Sequence, residues 1–501
     1  MTQQRTLPAT VDHLIVGAGF AGLGMAIRLA EAGEDDFLVI EKDGGVGGTW
    51  RANSYPGAAC DVPSQLYSFS FAPNPDWSMS FSPQPEIEAY LRTVAEESGT
   101  LDRFCFDTEL SDARWDEDDQ RWHVTTTRGE VISKTLISGS GGLSAPKLPE
   151  IEGIETFQGE VFHSARWRHD VDLTGKRVAV IGTGASSIQI VPAIAPDVAH
   201  LDVYQRTAPY VMPRNDRRYT RLERLLFKTV PAVQRAYRAG IYLGRELYVP
   251  GFVWNPKLMA PAKKIALAHM AKAIDDPELR AKVTPTYEIG CKRILISNTY
   301  YPALAADNVD LVTDPIIKVT GDAVVTADGT ERPIDVLVVA TGFQTTEQPI
   351  AEHLYGRGGR SLAEVWAERG MASYKGTTTH GFPNLFQLVG ANTGLGHSSM
   401  VFIIESQIAY VLDALRTMKT HEYAAIEPRQ QAQDEWNANL QSRMKRTVWS
   451  AGGCSSWYLD AHGKNTTLWP RSTISFRKLL ARFDAEHYDL EPARTTEGAR
   501  A

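Results

Sequence analysis

The segment HLIVGAGFAG, residues 13–22, decides the fold. A short apolar run leads into Gly17, Gly19 and Gly22, a helical pattern follows, and a second strand-like run, FLVIEK, carries Glu41 near its end. In a strand-helix-strand unit, glycines at this spacing let the backbone approach a pyrophosphate at the helix N-terminus. An acid at the second strand tip then accepts hydrogen bonds from ribose hydroxyls. The pattern recurs in RVAVIGTGASS, residues 177–187, with Ser187 where a third glycine often sits. Here Gly182 and Gly184 are followed by Arg206 in LDVYQRT. The interval from first glycine to charged residue is 24 in both copies, from 17 to 41 and from 182 to 206, so Glu41 and Arg206 are expected at matching strand tips. An arginine at that point pairs with a 2′-phosphate. One such fingerprint is a weak signal. Two, each in its strand and helix context, predict an α/β chain with two Rossmann-like domains, FAD on the first and NADPH on the second.

At 501 residues the chain is too long for one ordinary core and suggests two or three domains. Its net charge of −8 supplies no electrostatic reason to bind nucleic acid or an anionic membrane. The basic residues of RNDRRYTRLERLLFK are mixed with acids and read as a solvated helix face. Cys60, Cys105, Cys291 and Cys454 lie far apart with no C-x-x-C pair, which argues against a dithiol oxidoreductase and against a zinc site. The apolar stretch at 14–30 carries the glycine fingerprint and follows no basic leader, and no apolar run reaches the length of a membrane span. A cytoplasmic location is therefore expected.

Residues 1–146 are expected to form the first part of the FAD domain and 147–345 the NADP domain. The latter carries a helical insertion over about 210–285, where apolar residues at helical spacing read mostly as core-facing, with a roof over an active site as the other use. Residues 346–501 complete the first domain and end in an unstructured tail, EPARTTEGARA. The Gly, Pro and aromatic-rich segment after Lys42 has little periodicity, and long irregular loops in compact domains tend to be functional. The run IDVLVVATGF reads as a buried parallel strand meeting a cofactor at its end.

Between the two units lies FQGEVFHSARWR, with Phe157, Gly159, His163 and Trp167. This segment resembles the fingerprint of type I Baeyer-Villiger monooxygenases, a family of class B flavoprotein monooxygenases. One departure is Arg168, where the family most often has Pro or Asp. The stretch GGTWRANSYPGAACD resembles the family's other long motif. The resemblance implies flavin contacts at Gly17, Gly19, Phe20, Gly22, Glu41, Thr49, Trp50, Asp61, Tyr67, Leu110 and, in GANTGLGHSSM, Met400. It implies NADP contacts at Thr183, Gly184, Ala185, Ser186, Ser187, Gln189, Arg206 and Thr207, at Lys292 and Arg293 in CKRILISNTYY, and at Trp457 in SSWYLD. Arg293 inherits the active-site arginine, with Asp61 beside the flavin; His163 inherits a coupling role between domains rather than that of a base.

The same resemblance implies conversion of a ketone and dioxygen to an ester or lactone through a C(4a)-peroxyflavin, with sulfoxidation as a side activity. The chemistry of the residue types agrees. A permanently charged guanidinium favours a peroxide anion and the oxyanion of the addition product, and a nearby carboxylate holds it in place. The alternatives are an N- or S-oxidising flavin-containing monooxygenase and, in another class, a flavin-binding redox sensor or electron-transfer reductase.

Overall fold

A computed structural model of the chain describes residues 6–143 and 145–494. Strand Thr10–Val16 lies inside an eight-stranded sheet, paired in parallel with Phe37–Ile40 on one side and Gly129–Ser138 on the other. Its alternation puts Leu14 into one core and Ile15 into another, so both sheet faces are covered. Helix Phe20–Glu31 packs on one face against the helix Met400–His421. Gly24 sits at that crossing, where an added Cβ would stand 2.9 Å from the Phe69 ring and 3.1 Å from Ile408. On the other flank, Leu110–Asp116 and Arg121–Thr126 continue the sheet as an antiparallel meander, stitched by the Trp115–Trp122 edge contact. The short strands Leu354–Tyr355 and Leu385–Gln387 also join this sheet, so late residues complete the architecture begun by early ones.

The second sheet has five parallel strands in the order Val309–Val312, His200–Tyr204, Arg177–Ile181, Val336–Val339, Glu160–His163. The runs VLVV and RVAVI at its centre are buried along nearly their whole length, as parallel strands covered on both faces are. The long connection from His200–Tyr204 to Val309–Val312 includes the helices Arg221–Thr229, Pro231–Glu246, Ala260–Ala273 and Pro277–Lys282. The first is opened by a capping box in which Thr220 and Glu223 satisfy each other's backbone N–H groups.

Most large apolar residues of the helical stretch face the core, as expected: Phe227, Val249, Phe252, Met259 and Met270 are buried, and Val233, Tyr237, Ile241 and Tyr242 pack against the core from helix Pro231–Glu246. Polar contacts from Gln234 and Arg238 reinforce this packing, while Leu222, Leu225, Leu243 and Leu247 stay outside. The final segment is more ordered than its composition suggests. Tyr488–Pro492 forms a strand against Tyr423–Pro428, while residues 495–501 lie outside the described residues.

Candidate active site

The first glycine turn is built to bring backbones together. Gly17 takes φ +99°, and a Cβ on Gly22 would fall 1.8 Å from the Gly17 carbonyl oxygen. A Cβ on Gly48 would fall 2.8 Å from the α-carbon of Gly19, so the loop carrying Thr49 and Trp50 lies directly on the turn. Gly139, at the end of the neighbouring strand, completes the cluster: a Cβ on Gly17 would stand 2.9 Å from its carbonyl. The sequence signal for Gly139 was the GSGG that follows an apolar strand. Gly19 caps the helix with no side-chain bond, leaving first-turn N–H groups available to pyrophosphate oxygens. The residues present therefore fit a dinucleotide at this turn.

Glu41 stands opposite Gly17 in the parallel register and is 7% exposed. Its carboxylate accepts from the backbone N–H groups of Ala18, at 2.6 Å, and Asp43, at 2.9 Å. Burial pushes its pKa up, and these two backbone bonds partly oppose the shift. Glu41 thus fixes the glycine turn itself, a task beyond the ribose contact that the sequence suggested. Phe20, Trp50 and Tyr67 form an aromatic group beside the turn, with the Trp50 indole N–H donating to the Tyr67 hydroxyl at 3.1 Å. Leu110 is buried two residues beyond Thr108, whose N–H donates to the Glu41 carbonyl. Met400 opens its helix at the Ser399 cap, partly buried against the main core.

The second turn is similar but one residue out of step. Val16 pairs with Ile40, an offset of 24, whereas Ile181 pairs with Tyr204, an offset of 23. The strict counterpart of Glu41 is therefore Gln205, which is buried and donates to the Lys282 carbonyl at 2.7 Å. Arg206 lies one residue beyond and is exposed, so equal sequence intervals did not mean equal places. The connection through helix Ser187–Ile194 is shorter than that through Phe20–Glu31, which shifts the register. Gly182 takes φ +113° against the Ala340 carbonyl, while a Cβ on Gly184 would meet open space. Gly184 and Ala185 are exposed and Ser186 has no side-chain cap bond, so this turn too has room and free donors for a pyrophosphate. Thr183 is buried and donates to the Thr207 carbonyl at 3.2 Å. Ser187 is fully buried. Gln189 faces the other way: it accepts from the Tyr55 hydroxyl and donates to the Ala59 carbonyl, tying this unit to the loop that carries Asp61.

Lys292 lies close enough to Arg206 for the two charges to interact. Burial lowers the Lys292 pKa, and Arg206 lowers it further. Among the described residues neither cation makes an ion pair. Two mutually repelling, unpaired cations beside an open glycine turn make a site for a doubly charged anion.

Arg293 follows at once. Its Nε and Nη2 both donate to Oδ2 of Asp61, at 2.9 and 2.7 Å, and its Nη1 donates to the Leu395 carbonyl at 2.9 Å. The side chains keep 25% and 30% exposure although both groups sit deep in the protein, as groups lining a cleft do. Burial pushes the Asp61 carboxyl up, but the Arg293 charge and hydrogen bond outweigh it and hold it below the ordinary value. Arg245, from helix Pro231–Glu246, donates to the Asp61 carbonyl at 3.4 Å, so the helical stretch reaches this site. Tyr458 is buried nearby, its hydroxyl pushed up to about 12 mainly by burial.

The residues between the units couple them. His163 ends strand Glu160–His163, accepts from the Ala165 N–H at 3.1 Å, and packs its ring against Phe343 beyond the central strand. Burial lowers its pKa, which favours the neutral imidazole. Trp167 packs edge-on to Phe162. Arg168 turns out to the surface and forks onto Asp170 at 2.7 and 2.6 Å, which explains how the departure from the fingerprint is accommodated. A disulfide joins Cys291, next to Lys292, to Cys454, three residues before Trp457. Cysteine spacing gave no sign of it, since the partners are 163 residues apart. It also sits against the expected cytoplasmic location, where thiols are kept reduced. Trp457 is 48% exposed, its ring tilted against that of Tyr458, on the loop this disulfide ties to the Arg293 segment.

Known proteins agree with this geometry. Residues 14–223 match the family described as pyridine nucleotide-disulphide oxidoreductase. The chain is 52% identical to a Baeyer-Villiger monooxygenase of Pseudomonas aeruginosa, covering 98% of this chain and 94% of that one. It is 51% identical to one of Streptomyces coelicolor, covering 100% and 97%. Among solved structures, cyclohexanone monooxygenase from Rhodococcus sp. Phi1 bound to NADP+ superposes with a TM-score of 0.85 at 29% identity, covering 97% of this chain and 100% of that one. An oxidised steroid monooxygenase bound to NADP gives 0.85 at 32% identity, with the same coverage. Two dinucleotide units closing on one arginine-carboxylate pair, in a chain half identical to these relatives over its full length, place it in a single family: the chain belongs to the Baeyer-Villiger monooxygenases, oxidoreductases that use FAD and NADPH.

Proposed function

We propose that this chain inserts one oxygen atom from dioxygen beside a ketone carbonyl, giving an ester or lactone, with Arg293 and Asp61 as the working pair and sulfides as secondary substrates. FAD at the Glu41 unit, reduced by NADPH from the Arg206 unit, supplies the oxygen-activating chemistry when bound. The observation that carries the reading is the double hydrogen bond from Arg293 to one oxygen of Asp61 at the edge of a cleft. A guanidinium has five N–H donors. Two are spent on Asp61 and one on Leu395, which leaves two for a developing oxyanion on the substrate. Asp61 fixes the plane of the fork and neutralises one charge; Arg245 adds a second cation, so the trio carries a net +1 to set against an anionic oxygen. Tyr458, held protonated, brings no competing negative charge. Lys292 and Arg206 hold the 2′-phosphate, and Trp457 lies on the loop positioned to cover the nicotinamide end.

The test is Arg293→Ala in the FAD-loaded enzyme, supplied with NADPH, air and a panel of linear, cyclic and aromatic ketones. FAD content and hydride uptake should persist while ester formation disappears. Retention of most ester formation would remove Arg293 from its role, and robust amine oxidation with no ester from the unaltered enzyme would favour an N-oxidising monooxygenase.

A further inference from the structure

The helical stretch between residues 217 and 265 has a surface unlike the rest of the molecule. Sixteen large hydrophobic side chains are exposed in the described chain, and ten of them fall in this stretch. Leu222, Leu225 and Leu226, spaced i, i+3, i+4, are 74%, 57% and 40% exposed on one helix; Leu243 on the next helix and Leu247 at its C-terminal cap are 57% and 80% exposed. Trp254, just beyond, is 73% exposed. The inner faces are accounted for, since Arg238 donates to the Gln65 and Ser68 carbonyls and Gln234 to Asn74. The outer side chains keep 40% to 80% of their surface exposed among the described residues.

The charges of the same stretch are one-sided. It holds eleven basic and two acidic side chains, a net of +9 in a chain of −8, so the remaining residues carry −17. The mixing with acids that suggested a solvated face does not survive folding. Asp216 pairs with Arg214, Glu223 with Arg217, and Glu246 is turned inward onto His397. Every exposed charge from 217 to 265 is basic, and Arg218, Arg221, Lys228, Arg235, Lys257 and Lys264 make no ion pair among the described residues.

We propose that this face is a docking surface for an anionic lipid bilayer. Exposed leucines framed by unpaired cations, with a tryptophan at the edge, match the boundary between headgroups and acyl chains. A second copy of the chain would set six unpaired cations against six more, whereas anionic headgroups complement them. The −17 on the remaining residues is repelled by the same headgroups, so the charge asymmetry also orients the molecule, insertion down. The overall net charge, which suggested no membrane partner, averages this dipole away. The second of the two docking helices, Pro231–Glu246, also reaches the active site, through Arg245 to Asp61, so the bilayer would lie against the roof of the cleft. This inference does not depend on which substrate the enzyme oxidises.

The test is sedimentation of the full-length, FAD-loaded enzyme with vesicles of phosphatidylcholine alone or with phosphatidylglycerol at three in ten. Binding to the anionic vesicles, weakened by added salt and absent with the neutral ones, is expected. The triple variant Arg218→Ser, Arg221→Ser, Lys228→Ser should lower the partition constant roughly 100-fold, and Leu222→Ser with Leu225→Ser should lower it roughly 10-fold or more. FAD content and circular dichroism verify that the variants fold. No binding to anionic vesicles at low salt, or binding unchanged in both variants, overturns the proposal. So does a concentration-dependent dimer in analytical ultracentrifugation that the leucine variant abolishes, which would assign the face to a second copy.

Discussion

If Lys292 and Arg206 hold the 2′-phosphate of NADPH as proposed, their different burial makes them contribute unequally. Arg206 is exposed, so its attraction for a 2′-phosphate works through water and is screened by salt. Lys292 is half-buried and makes no ion pair with a carboxylate among the described residues. Two unit charges at about 4 Å interact by about 1 kcal/mol in water and about 4 kcal/mol at a protein surface. Taking the low end for Arg206 and a middle value of about 2.5 kcal/mol for Lys292, Arg206→Ala should raise the dissociation constant for NADPH roughly 5-fold and Lys292→Ala roughly 60-fold. NADH, lacking the phosphate, should bind both variants as it binds the unaltered enzyme. The sharper consequence concerns pH. Because burial and Arg206 both lower the Lys292 pKa, the unaltered enzyme should lose NADPH affinity on the alkaline side earlier than a free lysine would allow. Arg206→Ala removes that repulsion, so the weaker-binding variant should keep its remaining affinity to higher pH. Fluorescence titration of NADPH and NADH against pH measures all of this. An alkaline limb that stays put or moves down in Arg206→Ala, or a loss at Arg206 larger than at Lys292, would refute the reasoning.

Asp61→Ala should destabilise the protein, because breaking a buried pair costs about 3–5 kcal/mol, reduced to roughly 2 here by the quarter to third of each side chain still exposed. Since its folded pKa is depressed, the stabilisation is full above the unfolded carboxyl pKa and fades as pH falls below it, so unaltered and Asp61→Asn proteins should converge in denaturant stability only in acid. Cys454→Ser releases a crosslink across 163 residues, for which chain entropy sets a ceiling of about 5 kcal/mol. Thermal unfolding should shift down, and KM for NADPH should rise more than kcat falls because the Trp457 loop is freed; identical KM values with and without reductant would deny the link. Gly22→Ala places a Cβ where the Gly17 carbonyl lies, so the purified protein should lose bound FAD while residues of the second sheet keep their hydrogen-exchange protection.

How much of this was legible in the sequence depends on the range over which each feature is encoded. The two glycine turns are local, since strand, turn and helix each leave their own periodicity, and both stand where the spacing put them. Arg293 and Asp61 are 232 residues apart, and only the family resemblance joined them before the structure did. Interval counting failed at Arg206 because the partner of Gly182 is set by strand register, which depends on how helix Ser187–Ile194 packs, a tertiary property. The disulfide failed for a related reason: two single cysteines in distant loops carry no pattern until folding brings their loops together. In the helical insertion most large apolar residues face the core, as the periodicity suggested, and ten do not. Its apolar spacing was read correctly as helix, yet periodicity reports only that one face is apolar, and nothing local says whether that face meets the core or the outside. Acids alternating with bases concealed its polarity in the same way, because pairing decides which charges remain free. In this stretch the acids are consumed internally and the cations are not, so a surface of one sign emerges from a sequence of mixed sign.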